Sequence, residues 1–149
     1  MTMYFVNREK INETLAHMET MLYRINQLEG DAFTLELAKE RLAVHLMEGV
    51  IDVGNSMIDG FIMRDPGSYE DIVDILLDER VLDAQTAQAA KELVMMRAYY
   101  VREFVTSDSA RFDAWTERQK ETFAAFPEQV RRYLEVELGP VSAFLPESE

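Results

Sequence analysis

Apolar residues recur along this chain at intervals of three and four, not two, and that spacing predicts helix throughout. Ile11, Leu15, Met18, Leu22 and Ile25 make one stripe at spacings of 4, 3, 4 and 3. They predict a first helix from about Asn7, a plausible N-cap, to about Leu28, with Gly30 as the stop. A second helix is predicted from about Phe33 to about Met63, on the order of 45 Å long at 1.5 Å per residue. Arg64-Asp65-Pro66-Gly67 ends it, because proline disfavours helix in the residue before it. Ser68-Tyr69-Glu70-Asp71 has the form of a capping box with Asp at its third position, and opens a short helix that turns Ile72, Ile75 and Leu76 inward. A third long helix is predicted from after Asp83 to about Val105, and a fourth from about Ser109 to Phe126. Pro127 opens a last helix, since proline suits a first helical position, and Gly139-Pro140 closes it. Glycine and proline fall only near these boundaries, apart from Pro146 and the helix-two glycines. No repeat or low-complexity linker divides the chain. Residues 1–149 are therefore expected to form one all-α domain: an up-and-down bundle of four main helices with a short extra helix and a broken C-terminal helix.

The pattern breaks in two places. In helix two, Arg41, His45, Glu48, Asp52, Asn55 and Asp59 follow one another at 4, 3, 4, 3 and 4, one continuous polar seam. Apolar residues fill most of the remaining circumference. Two readings stand. Either the seam faces solvent on an amphipathic helix, or the apolar surface is too wide for that and the seam lines a groove where its charges are paired. The width, with Phe61, Ile62 and Met63 near the end, also predicts an apolar surface covered by a second copy of the chain. In helix three, Ala90, Val94, Val101 and Phe104 form the expected core face, and Arg97 completes their series. An arginine there requires a carboxylate, and Glu48 or Asp52 could receive its planar fork as a bidentate pair. Three readings of Arg97 stay open: a structural salt bridge, a phosphate-binding cleft, or a side chain that snorkels to water.

Composition narrows the chemistry. With 15 Lys and Arg against 28 Asp and Glu, the net charge of −13 argues against a passive nucleic-acid coat or a binder of anionic membranes, while leaving room for a local basic pocket. The 149 residues contain no cysteine, so disulfides, thiolate nucleophiles and Cys-ligated zinc are excluded, and two histidines leave little for a His-rich metal site. No apolar run approaches a membrane span, and the first residues lack the apolar core of a signal peptide. The expectation is a soluble cytoplasmic protein without a membrane partner.

Met96-Arg97-Ala98-Tyr99-Tyr100-Val101-Arg102-Glu103-Phe104 resembles the signature segment of the HepT-like branch of the HEPN superfamily, whose motif is Arg, four residues, His, one residue, Tyr. The opening MYFVNREKI, the stretch RLAVHLMEGVIDVGNSMIDGFIMRDPGSYEDIVDIL and the closing VRRYLEVELGPVSAF resemble that family too, so the similarity spans almost the whole chain. The resemblance implies a helical bundle, usually a homodimer, which in active members is an RNA-cleaving toxin needing no metal or cofactor. It also implies a partner, a minimal nucleotidyltransferase antitoxin that adds AMP to the motif tyrosine. Carried over, Arg97 is the motif arginine, Arg102 stands at the histidine position and Phe104 at the tyrosine position. Arginine stays protonated and cannot serve as a base, though it can bind phosphate, and phenylalanine offers no hydroxyl to modify. Glu48, Asp52, Asn55, His45 and Arg41 are the candidate supporting residues. Tyr99 and Tyr100 lie out of register, and His17 and His45 read as structural imidazoles.

Three functions compete. The first is a HepT-like homodimer with a degenerate ribonuclease motif, non-catalytic or regulatory, that binds RNA, a nucleotide or a partner. The second is an active metal-independent ribonuclease toxin with another base, such as His45 or a carboxylate among Glu48 and Asp52. The third is a magnesium-dependent nucleotide pyrophosphohydrolase using Glu48-Asp52 and Asp71-Asp74-Asp78. A di-iron protein lacks its Glu-x-x-His pairs here.

Overall fold

The computed structural model describes residues 6–139; the expected stop at Pro140 and the Pro146 mark lie outside the described residues. Seven α-helices and no strand form among the described residues: α1 (Arg8–Arg24, continued by a 3-10 turn, Ile25–Gln27), α2 (Ala32–Gly60), α3 (Tyr69–Asp78), α4 (Ala84–Val94), α5 (Arg97–Val101), α6 (Ala110–Phe123) and α7 (Phe126–Leu138). No helix among the described residues is long and apolar enough to cross a membrane.

Side-chain caps set the starts of four helices. Asn7 accepts from the Lys10 N–H at 3.1 Å, Asp31 from Thr34 at 2.8 Å, Ser68 from Asp71 at 3.0 Å and Asp83 from Thr86 at 2.8 Å. The reciprocal half of the expected capping box goes elsewhere. Asp71 accepts from the Gly67 N–H at 2.9 Å and from both terminal nitrogens of Arg64. That locks the Pro66-Gly67 turn to the start of α3, and the Arg64 hydrogen bond, more than any other influence, holds the Asp71 carboxyl below its ordinary pKa.

α2 is the axis of the bundle and packs against α1, α3, α4, α5 and α6. Its buried residues, from Leu42 to Gly60, lie around most of its circumference. The width of its apolar surface is thus absorbed within the chain, which corrects the sequence argument for a second copy on this face. Phe61 is buried edge-on against Tyr133 of α7, ring centroids 5.1 Å apart, and Ile62 alone of the three residues at that end is strongly exposed. Two close approaches fix the neighbours. A Cβ on Gly54 would stand 2.3 Å from Ile72 Cγ2 of α3, and one on Gly49 would stand 2.6 Å from Met18 Sδ of α1. On the far side Phe112, Trp115, Phe123 and Phe126 pack in sequence, stacked, edge-to-face and stacked, with centroids 5.7, 5.3 and 5.4 Å apart. Trp115 Nε1 donates to the Ala89 carbonyl of α4 at 3.0 Å. α7 returns to α1, where Arg131 grips both Glu19 oxygens at 2.7 and 2.9 Å.

The expected third helix does not run unbroken to Val105. It stops at Val94, and Met95 and Met96 make a turn before the five residues of α5. Tyr99, Tyr100, Val101, Val105 and Thr106 are weak helix formers, so tertiary contacts decide the path. Tyr100 turns inward and its hydroxyl oxygen accepts from the Phe112 N–H at 3.0 Å. Ser107 and Ser109 tie the descending loop to Glu40 and Glu36 of α2. The break changes the buried face: Ala90 and Val94 remain in the core, whereas Val101 and Phe104, expected there, are 36% and 68% exposed.

Candidate functional site

The polar seam of α2 takes both forms expected of it. Arg41, Asp52, Asn55 and Asp59 are exposed, whereas His45 and Glu48 are partly buried and meet partners. Arg97, at the start of α5, points back to α2 and donates through Nε to Glu48 Oε2 at 2.5 Å. The choice between the two acids falls on Glu48, and the contact is through Nε, not the terminal fork expected from the sequence. The guanidinium also lies over the Tyr69 ring, 4.9 Å from its centroid. The Glu48 hydrogen bond, more than the opposing desolvation, raises the pKa of Arg97 and keeps it charged. Arg97 is therefore anchored between α2 and α3.

The other signature positions do not join it. Arg102 caps the end of α5, exposed and without a carboxylate partner among the described residues, and Phe104 projects outward. Asn55 makes no hydrogen bond to Arg97 among the described residues either. Tyr99 lies under Arg111, and its oxygen accepts from the Asp108 N–H at 3.1 Å. Burial pushes the Tyr100 phenol up to about 12. A raised folded-state pKa means full stabilisation below the unfolded value of about 10, lost as pH rises through the folded value. In an alkaline absorbance titration a tyrosine step is expected near pH 12, and Tyr100→Phe is expected to remove it.

Four of the five acids of the pyrophosphohydrolase reading are committed to cations of the chain: Asp71 and Asp78 to Arg64 at 2.9 and 3.4 Å, Asp74 to Lys91 at 3.0 Å, and Glu48 to Arg97, which leaves only the exposed Asp52. No group of three or more metal-ligating side chains converges among the described residues.

The seam's other partner was missed in the sequence. His17 of α1 and His45 of α2 meet directly, Nε2 to Nδ1 at 2.9 Å. They line a shallow groove of about 380 Å³ between α1 and α2 with Glu13, Thr14, Arg41 and Glu48. Toward the end of α1 it continues into a niche of about 280 Å³ floored by Met21, Leu28 and Leu42 and edged by Arg24 and Arg41. No carboxylate lines that niche, and neither arginine is paired with one among the described residues. Burial first, then the charges of Arg41 and His17, hold the His45 pKa below the ordinary imidazole value. A signal for the pair was available. Both histidines lie fourteen residues from Asp31 (31 − 17 and 45 − 31), and an antiparallel helical hairpin sets residues equidistant from its turn side by side.

Comparison with known proteins returns one consistent kinship. Residues 11–130 match the family model described as ribonuclease HepT-like. The chain is 43% identical over 143 residues to a Bacillus subtilis (strain 168) protein named "Putative RNase YutE", covering 95% of this chain and 99% of that one. It is also similar to a solved structure described as the cytosolic protein of unknown function YutE from Bacillus subtilis. That likeness has a TM-score of 0.89 and 43% identity, and covers 95% of this chain and all of the other.

Proposed function

This chain belongs to the HepT-like ribonuclease family, and from that premise we propose that it acts on RNA or a nucleotide, as a cytoplasmic homodimer, with a signature segment that no longer catalyses cleavage. The observation that carries this reading is the state of the three signature positions. Arg97 is held by Glu48 and Tyr69, Arg102 has no basic form near neutral pH, and Phe104 has no hydroxyl. Metal-free cleavage requires a group that takes and returns a proton near neutrality, and none stands there. A nucleotidyltransferase partner finds no acceptor at Phe104. What the segment retains is positive charge and apolar surface, suited to binding. Met95, Phe104 and Val105, 59%, 68% and 84% exposed, provide the area that a second copy would cover.

The assay compares RNA cleavage by the wild type, Arg97→Ala and the double variant Arg102→His/Phe104→Tyr. Restoring the two missing groups is expected to add cleavage that the wild-type signature does not supply, and Arg97→Ala is expected not to abolish the cleavage the wild type shows. Cleavage abolished by Arg97→Ala would mean that the signature still works, and the reading fails. Sedimentation as a monomer at micromolar concentration would remove the homodimer.

The second reading, an active metal-independent ribonuclease toxin paired with a nucleotidyltransferase antitoxin, is favoured by the direct contact of His17 and His45.

A further inference from the structure

We propose that His17 and His45 form a catalytic centre, separate from the signature, for metal-free cleavage of RNA phosphodiesters, with Arg24 and Arg41 as its phosphate grip. This rests on the RNA-directed reading above and adds to it a place and a chemistry.

The chain has two histidines, and the fold brings both to one contact from different helices. Their geometry points to proton exchange. The ring centroids are 5.1 Å apart with the nitrogens 2.9 Å apart, so the separation is nearly the sum of that contact and the two ring radii. The nitrogens face each other head-on. A metal ion would need both lone pairs aimed at a third point, whereas a single proton fits between them. One ring donates and the other accepts, so an acid and a base stand opposed. Burial and Arg41 disfavour charge on His45, which fits it to be the base, and His17, set opposite it from α1, takes the role of the acid.

The surroundings select a phosphodiester. The overall charge of −13 repels RNA, yet the niche beside His45 presents two unpaired guanidiniums and no carboxylate. Of the acids along the groove, Glu48 is neutralised by Arg97, and Glu13 and Asp52 lie on the side away from the niche. The apolar floor gives a base or ribose a place to rest.

The step balances within the site. A phosphodiester held by Arg41 and Arg24 parts the two rings. The ribose 2′-OH gives its proton to His45 Nδ1 as the 2′-oxygen bonds to phosphorus. The bond from phosphorus to the 5′-oxygen breaks, and that oxygen takes the proton from His17 Nε2. The products are a 2′,3′-cyclic phosphate and a 5′-hydroxyl. When the rings close, His45 returns its proton to His17 across their hydrogen bond.

The test uses the full chain in EDTA and a DNA oligonucleotide carrying one ribonucleotide, with cleavage, binding by fluorescence anisotropy and thermal melting measured in parallel. The wild type is expected to cut at the ribonucleotide, leave a cyclic phosphate, and show a bell-shaped pH profile. His17→Gln and His45→Gln are expected to cut at least about 100-fold more slowly while melting and binding as the wild type does. Arg24→Ala/Arg41→Ala is expected to weaken binding. A wild type that binds without cutting overturns the centre and leaves the RNA-directed reading in place. A wild type that neither binds nor cuts overturns both. Cutting that survives both histidine substitutions overturns the centre, and a loss of cutting accompanied by a lower melting temperature assigns the pair a structural role instead.

Discussion

Truncation of Trp115 to Ala is expected to cost about 4 kcal/mol, the usual range for emptying a buried tryptophan site. Spread over a chain of this size, that lowers Tm by roughly 8–16 °C. Two losses combine. The indole is 1% exposed and sits between Phe112 and Phe123, so its removal leaves a cavity whose walls are rings too stiff to collapse into it. Its N–H also binds the Ala89 carbonyl, and that contact fastens α6 to α4. Thermal denaturation followed by circular dichroism checks it. A fall of only a degree or two would mean that the aromatic stack is not what holds this side of the bundle.

The second large effect is expected at Gly54. Replacement by Leu is expected to destabilise by about 3 kcal/mol, the upper end for an overpacked site, even after the helix propensity gained by losing a glycine. The first added carbon already lands 2.3 Å from Ile72 Cγ2, a branched methyl fixed close to the backbone of α3. α3 must move outward, and its first residue, Tyr69, moves away from the Arg97 guanidinium. Denaturant unfolding measures the loss. Coupling Gly54→Ala with Ile72→Ala checks the cause: the pair is expected to be more stable than the sum of the single changes allows.

The bundle was legible because it rests on local rules. The stripe Ile11, Leu15, Met18 and Leu22 is buried as its spacing required, Asn7 and Ser68 cap where their side chains predicted, and a helix starts after Asp83 as expected. The family could be read from segments spread along the chain. The break after Val94 could not, because no glycine or proline marks it. The preference of Tyr100 for the Phe112 backbone and of Arg97 for Glu48 exists only once α6 and α2 are in place. Periodicity continued through Met95 therefore placed Phe104 in a core it does not enter. The partner of Arg97 was half legible: a cation on an apolar face required an acid, and only packing could choose Glu48 over Asp52. His17 escaped notice for another reason. It lies beside the stripe, not within it, and a stripe read one helix at a time carries no information about what the next helix sets opposite.

The groove between α1 and α2 draws its lining from residues 13–52, one uninterrupted stretch, whereas the signature occupies residues 97–104. The two are joined by the Glu48–Arg97 bridge and otherwise share little. Substitutions can therefore accumulate in one without deforming the other. Loss of the signature chemistry leaves the packing of the helical hairpin in place, and Glu48 is the position at which a change is felt on both sides.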